Sequence, residues 1–414
     1  MDAPANTTRQ RTLNFTELVA IIASVMALNA LAIDMMLPAL GLIAEDLDIV
    51  DGNDRQRIIV FYVLANGFGQ IIFGPLVDRF GRRPVLMWAL SGYMAGSLLS
   101  VFAGSFTLLL AARGFQGVAT AATRVAAIAV VRDQCEGRKM AQAMSLGITI
   151  FMAAPILAPG FGQLILFAGP WRTIFFALFL YGLVLAVWLG WRLPETLDQA
   201  DRKPLQPRAI ANAYMIFIRN RTSIGYTLAS TFCFGALFGY IGASEQIFLE
   251  LFDVGPAFAV YFALIAGALG AATLFNARLV ETVGMRRLAH GAILALIIIS
   301  LLHLVLASTM GETLTTFMVF MMPSFFCLGL IGPNASALAM QPMGHNAGAA
   351  AAANGFAGTT GAGFLGGLIG SFYNGSTTPI LLGFAILAML AFCTVLWTEK
   401  GELFHPGERE GEAV

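Results

Sequence analysis

The stretch Gly74-Pro75-Leu76-Val77-Asp78-Arg79-Phe80-Gly81-Arg82-Arg83-Pro84 sets four charges within eleven residues of a chain that is otherwise nearly devoid of charge. Apolar runs flank it at 58–77 and 85–103, each near the roughly 20 residues an α-helix needs to cross hydrocarbon. The turn therefore joins two spanning helices. Asp78 sits one turn from its helix end, and Gly81 admits a backbone reversal that a bulky side chain resists. Arg79, Arg82 and Arg83 stay on the cytosolic face. With Gly74 they form a candidate conformational hinge.

Working outward, 58% of the 414 residues are hydrophobic and 12% charged, against about 25% charged in soluble domains. An ordinary soluble protein is excluded. Further apolar runs at 18–44, 106–131, 140–166, 171–191, 223–244, 256–277, 288–308, 314–339, 346–372 and 377–397 bring the spans to twelve. The expected fold class is an all-α membrane protein. The run beginning near Leu18 is too long for the h-region of a signal peptide and is read as a retained first helix.

Net charge is zero, so nucleic acid is not an expected partner; the placement of the cations carries the information. Arg79, Arg82 and Arg83, then Arg132, Arg138 and Lys139, then Arg202, Lys203, Arg208, Arg219 and Arg221, then Arg278, Arg286 and Arg287 fall in alternate loops. By the positive-inside rule these loops, and with an even helix count both termini, are cytoplasmic. The opposite loops hold Arg55 and Arg57 among Glu45, Asp46, Asp48, Asp51 and Asp54, and later Glu250, Asp253 and Glu312. The four cysteines lack CxxC spacing and an extracytoplasmic pair, so neither disulfide nor metal site is expected.

The longest polar stretch, 194–221, splits the helices six and six. The expected organisation is a first half at 1–193, a cytoplasmic linker at 194–221, a second half at 222–400 and a tail at 401–414. A second copy of the opening turn lies at 277–287 (ARLVETVGMRR), with Glu281 aligned on Asp78 and Gly284 on Gly81. Two pseudo-symmetric six-helix bundles follow, with a substrate site between them near the midplane.

A charge inside hydrocarbon costs about 2.5 kcal/mol or more, so intramembrane ionisable groups are candidate sites. Asp34 is placed ten residues before the end of the first run, about 15 Å from it. Arg113 enters the fourth run to a matching depth. Two readings stand: a buried ion pair locking two helices, or a proton-coupling site at which desolvation favours neutral Asp34 and the guanidinium favours its carboxylate. Arg113, Gly117, Thr120 and Arg124 recur at i, i+4, i+7 and i+11 and share one helical face. Arg124 either snorkels to the interface or lines a cavity with Thr120, Gln163, Gln246 and Glu245; Glu245, with Gln246 beside it near the outer end of its run, reads as an interfacial residue before a coupling carboxylate. In the fifth run Pro155 and Pro159 bend the helix, and Gly160 and Gly162 permit close packing. The eleventh run, with Gly348, Ala352, Gly355, Gly358, Gly363, Gly366, Gly367 and Gly370, reads as a close-packing helix. His290 and His303, without partners in sequence, are assigned no role.

Several segments together resemble the twelve-helix drug:H⁺ antiporters of the major facilitator superfamily, and more narrowly their bicyclomycin/chloramphenicol-resistance subfamily. They are Ile33-Asp34-Met35-Met36-Leu37-Pro38-Ala39-Leu40, the 74–84 loop, Arg113-Gly114-Phe115-Gln116-Gly117 with Val131-Arg132-Asp133, the Pro155 to Gln163 segment, Leu193-Pro194-Glu195-Thr196 and Gly329-Leu330-Ile331-Gly332-Pro333-Asn334-Ala335. The resemblance implies proton coupling at Asp34 assisted by Arg113, an antiport-associated role for Pro159 and Gly162, and a bacterial inner-membrane monomer. The proton gradient is its energy source and no cofactor is expected. Met36 replaces a usual aromatic, Ala158 and Gln163 replace glycines, and Met26 stands where some relatives carry a second acid. Neutral or weakly anionic amphiphiles thus stand beside lipophilic cations as expected substrates. A metabolite exporter, or a receptor or scaffold that moves nothing, are the alternatives; no nucleophile–base set points to an enzyme.

Overall fold

The computed structural model describes residues 13–135, 137–202 and 204–405, and these form helices without a strand. The spanning helices are α1 (Phe15–Asp34), α2 (Arg57–Phe80), α3 (Arg82–Val101), α4 (Phe106–Gln134), α5 (Gly137–Ala168), α6 (Arg172–Arg192), α7 (Arg221–Glu245), α8 (Phe258–Val283), α9 (Met285–Met310), α10 (Leu314–Met340), α11 (Ala347–Phe356 continuing as Ala362–Ser371) and α12 (Thr378–Thr398). Ten helical stretches among the described residues are long and apolar enough to cross a membrane. The other two spans are α5 and α11. Lys203, the Arg138 side chain and the chain ends at 1–12 and 406–414, all part of the expected orientation, lie outside what is described.

The first expected helix differs from its expectation. The 18–44 run is not continuous: α1 stops at Asp34, a 3₁₀ turn follows at Leu37–Ala39, and a short helix resumes at Leu40–Asp46. The cause is Pro38, which has no N–H to give the Asp34 carbonyl and disfavours helical backbone before it. Met35 still donates to Leu31 O at 3.1 Å, but Ala39 bonds to Met36 O instead. Asp34 thus marks a break, not a point along a straight helix. Within the expected linker, Pro207–Arg219 is a helix with proline in its first turn; Tyr214 bonds to Ile71 O, and Phe217 packs on Met343 and Ala350. Two positions expected to bend α5, Pro155 and Pro159, lie inside one continuous helix.

Within the first half α2 and α3 pack on α4, α3 on α6 and α1 on α5; in the second, α11 and α12 pack on α7, and α8 and α9 on α10. Between the halves α8 meets α5 and α11 meets α2. The α2–α11 contact is antiparallel and built on glycine: Cβ atoms added at Gly370, Gly367, Gly363 and Gly355 would collide with Gln56, Val60, Val63 and Gln70 respectively. Small residues let helices approach where no hydrophobic force drives them together. Opposite Gly67 and Gln70, α11 widens into a π-helical turn, Ala357–Gly361.

At the end that carries Arg55, polar bonds close the seam between the halves. Arg55 pairs with Glu245 at 3.3 Å and also with Glu250. Gln56 Nε2 donates to Gln246 Oε1 at 2.6 Å, and Gln246 Nε2 to Asn53 Oδ1 at 2.9 Å. Asn53 Nδ2 in turn donates to Tyr373 O at 2.8 Å. At the opposite end, the ion pairs among described residues stay within one half: Arg82 with Asp78 and Asp133, Arg192 with Glu17, and Arg286 with Glu399.

Candidate functional site

The break in α1 brings Asp34 to the seam between the halves. It is 4% exposed, and its Oδ1 has no hydrogen-bond partner among the described residues. Gly162 on α5 lies directly against the break: a Cβ there would overlap the Met35 carbonyl, and Pro38 Cγ would stand 3.2 Å away. The same proline that breaks α1 exposes backbone that only a glycine can approach so closely. Gly160 has open space at its Cβ position.

Arg113 and Asp34 do not form the ion pair that matched depth allows, for Asp34 is absent from every salt bridge among described residues. The fully buried guanidinium is held by neutral oxygens instead: Ala32 O at 2.8 Å, Ile58 O at 3.4 Å and Gln116 Oε1 at 2.5 Å. It also lies 4.4 Å from the centroid of the Tyr62 ring, a cation–π contact strengthened by desolvation. Arg113 therefore grips the last turn of α1, two residues short of Asp34, and leaves the carboxyl free.

A polar track runs from there. The Tyr62 hydroxyl lies 2.8 Å from Asn29 Oδ1 and 2.9 Å from Thr120 Oγ1. Asn66 Nδ2 reaches Asn29 Oδ1 at 3.4 Å, and Gln70 Nε2 bridges Asn66 at 3.2 Å and Thr359 of the π-helical turn at 3.1 Å. Tyr62, Asn66 and Gln70 recur every four residues on one face of α2, a period visible in sequence but not singled out there.

Arg124 is exposed. Phe115, nine residues earlier and so about 180° around the helix, is an exposed apolar side chain 48% accessible. Arg124 therefore projects from the face of Arg113 and Thr120, opposite the apolar one. Gln163 is half-buried. Glu245 and Gln246, read from sequence as interfacial or cavity-lining, sit in the buried seam with Arg55 and Gln56. Arg55 was counted only as a loop cation; nothing local in sequence pairs it with a residue 190 positions away.

In the 74–84 loop, Gly81 has φ +102° and ends α2, a backbone conformation that favours glycine. Arg82 is buried, bonding Asp78 at 3.1 Å and Asp133 of α4 at 2.8 Å. Glu195 accepts from the backbone N–H groups of Arg82 and Arg83 at 2.9 and 3.2 Å, an anion capping the N-terminus of α3. Arg83 reaches Gly190 O of α6, while Arg79 is exposed. The duplicated turn repeats the geometry: Gly284 has φ +89°, and Arg286, aligned with Arg83, binds Glu399 beyond α12 at 3.0 Å. Glu281 is exposed. The capping acid Glu195 and the Arg286 partner Glu399 were missed because each lies more than a hundred residues from the residue it binds. The two histidines also have partners: His290 Nε2 stands 2.9 Å from Tyr226, and His303 Nε2 2.9 Å from Glu312.

The sequence matches the Major Facilitator Superfamily over residues 22–371. It is 31% identical over 259 residues to a bicyclomycin resistance protein homolog of Haemophilus influenzae, covering 61% of this chain and 63% of that protein, less than two thirds of its length. It is 28% identical over 338 residues to the uncharacterized MFS-type transporter YdgK of Bacillus subtilis, 81% of this chain and 84% of that one. Multidrug resistance protein MdtL of Escherichia coli is 29% identical over 239 residues, 57% and 59% of the two chains. Among solved structures, the human organic anion transporter MFSD10 (TETRAN) superposes with a TM-score of 0.67 over 93% of this chain and all of that one, at 17% identity, a likeness of fold.

Proposed function

The chain belongs to the Major Facilitator Superfamily, and from that premise we propose that this membrane transporter exchanges protons for small hydrophobic or amphiphilic compounds, moving them outward across a bacterial inner membrane. One observation carries the reading: Asp34 is a buried acid at a helix break, held beside a guanidinium yet unpaired with it. An acid whose surroundings change between dry and wetted as the halves move can bind a proton on one side and release it on the other. The names of the similar bacterial proteins, which speak of bicyclomycin and multidrug resistance, support the substrate class.

The mechanism is rocking of two halves about a central site. The Arg55–Glu245 seam closes the outer mouth, and the 74–84 loop ties α2 and α3 to the ends of α4 and α6 so that the first half moves as a body. Arg113 fixes the part of α1 before the break, while Pro38 frees the part after it. Arg124 supplies positive charge to the face open on the cytoplasmic side. Neutral Asp34 accompanies the closed outer mouth; release of its proton to the cytoplasmic side follows the return stroke.

The test is proton movement in sealed vesicles, followed by fluorescence as each compound of a drug and metabolite panel is added. Asp34→Asn is expected to abolish substrate-driven proton movement while a neutral substrate still binds. Wild-type exchange in that variant refutes the assignment. Absence of flux for every compound in the wild type favours a receptor or scaffold.

A further inference from the structure

The helix inside the linker, Pro207–Arg219, is seated on both halves: the Tyr214 hydroxyl donates to Ile71 O of α2 at 3.3 Å, and Phe217 is buried against Met343 and Ala350 of the second half. Its other side is uncovered. Met215, Ile216 and Ile218 are exposed, Ile218 to 54%. Three large apolar side chains on one short helix are a liability in water, and are stabilised when such a helix lies in a bilayer interface. Its surroundings place it there. Ile71 stands nine residues before the end of α2, about 13 Å along the helix, and Phe68 and Ile72 beside it, one turn apart, are exposed apolar residues of the same spanning helix. Just past the linker helix, Arg221 lies 4.9 Å from the ring centroid of Trp397, an exposed aromatic at the linker end of α12. Tryptophans gather at the membrane interface.

Charge is a second, independent feature. Residues 202–221 hold Arg202, Lys203, Arg208, Arg219 and Arg221 and no acid. Arg208 and Arg219 are exposed and belong to no ion pair among the described residues. Eleven residues apart, they share one face, with Met215 beside them and Ile218 about 100° around the helix from Arg219. An apolar edge flanked by unpaired arginines suits a helix lying among headgroups, its apolar side at the acyl boundary and its cations on phosphates.

We infer that the linker helix Pro207–Arg219 is a lipid-binding strap across α2 and α11, which holds anionic phospholipid of the cytoplasmic leaflet with Arg208 and Arg219 while Met215 and Ile218 enter the acyl boundary. Cations that served only to set the orientation of the chain would need neither the exposed apolar edge nor a seat built from both halves. The strap makes no demand on Asp34 and stands whether or not the protein moves protons.

The test uses the full chain, freed of native cysteines, with Ile218→Cys carrying an environment-sensitive NBD label, in bilayers of phosphatidylcholine. A small share of the lipid bears a nitroxide on its acyl chain, phosphatidylglycerol in one sample and phosphatidylcholine in the other. Both are expected to quench the label, phosphatidylglycerol more strongly, with a preference of about fivefold for each arginine engaged. Arg208→Gln combined with Arg219→Gln is expected to remove the preference and leave the quenching by phosphatidylcholine in place. In protein that keeps both arginines, high salt is expected to weaken the preference, because exposed charges are screened. Equal quenching by the two lipids with both arginines present overturns the proposal. A preference that survives both the substitutions and salt takes the anionic lipid away from these arginines and overturns it too. Absence of quenching by either lipid puts the exposed edge in water or under another protein, and the strap is refuted outright.

Discussion

Gly160 and Gly162 belong to one motif on one helix, yet the structure gives them opposite sensitivities. An alanine Cβ at Gly162 would stand 2.9 Å from the Met35 carbonyl carbon and closer still to its oxygen. Carbon atoms pack best at about 3.5–4.0 Å, so α5 and the α1 break must part by roughly 0.6–1.1 Å to relieve the carbon alone. The obstacle is backbone and cannot swing aside. Overpacking of this kind costs about 1–3 kcal/mol, a sizeable share of the roughly 5–15 kcal/mol that holds a folded protein together. Because the displaced atoms adjoin Asp34, exchange is expected to fall with stability. At Gly160 an added methyl meets nothing within 4 Å, and Gly160→Ala is expected to stay within about 0.5 kcal/mol of wild type. The assay pairs denaturation of purified protein in detergent with initial rates of substrate-driven proton exchange in proteoliposomes. Equal behaviour of the two variants, whether both harmless or both damaging, refutes the packing argument.

Two further outcomes test the seam and the open face. Arg55→Ala leaves Glu245 buried without its cation, a truncation that costs on the order of 3–5 kcal/mol for a buried pair. The outer mouth is therefore expected to open, and in a background freed of native cysteines Gly242→Cys becomes reactive to a membrane-impermeant maleimide applied from outside; continued protection contradicts the lock. Arg124→Cys is expected to react with an impermeant reagent applied from the cytoplasmic side and to be shielded by substrate. No labelling under any transport condition supports snorkelling in its place.

Much was legible along the chain because membrane insertion is read locally. Twenty apolar residues span hydrocarbon wherever they occur, and the repeated acid–glycine–arginine turns are local to their loops. Asp34 and Arg113 stand out for a similar reason: charge within an apolar run is conspicuous without any knowledge of neighbours. The break at Pro38 was also legible, since its missing N–H acts within one turn, but the length of the apolar run concealed it.

What sequence alone determined, then, was the number of spans, the duplicated halves, the turn glycines Gly81 and Gly284 and the intramembrane charges, all consequences of covalent neighbours and of the solvent. What only the tertiary structure decided was pairing. Arg113 turned from Asp34 to Ala32 O, Gln116 and Tyr62; Glu245 and Gln246 joined Arg55 and Gln56; Glu195 became the cap of α3 and Glu399 the partner of Arg286. The physical reason is range. A buried polar atom is satisfied by whatever the packing of helices brings within about 3 Å, and that depends on glycines such as Gly162 and Gly370 fitting against distant backbone and side chains, a fit that no local pattern records.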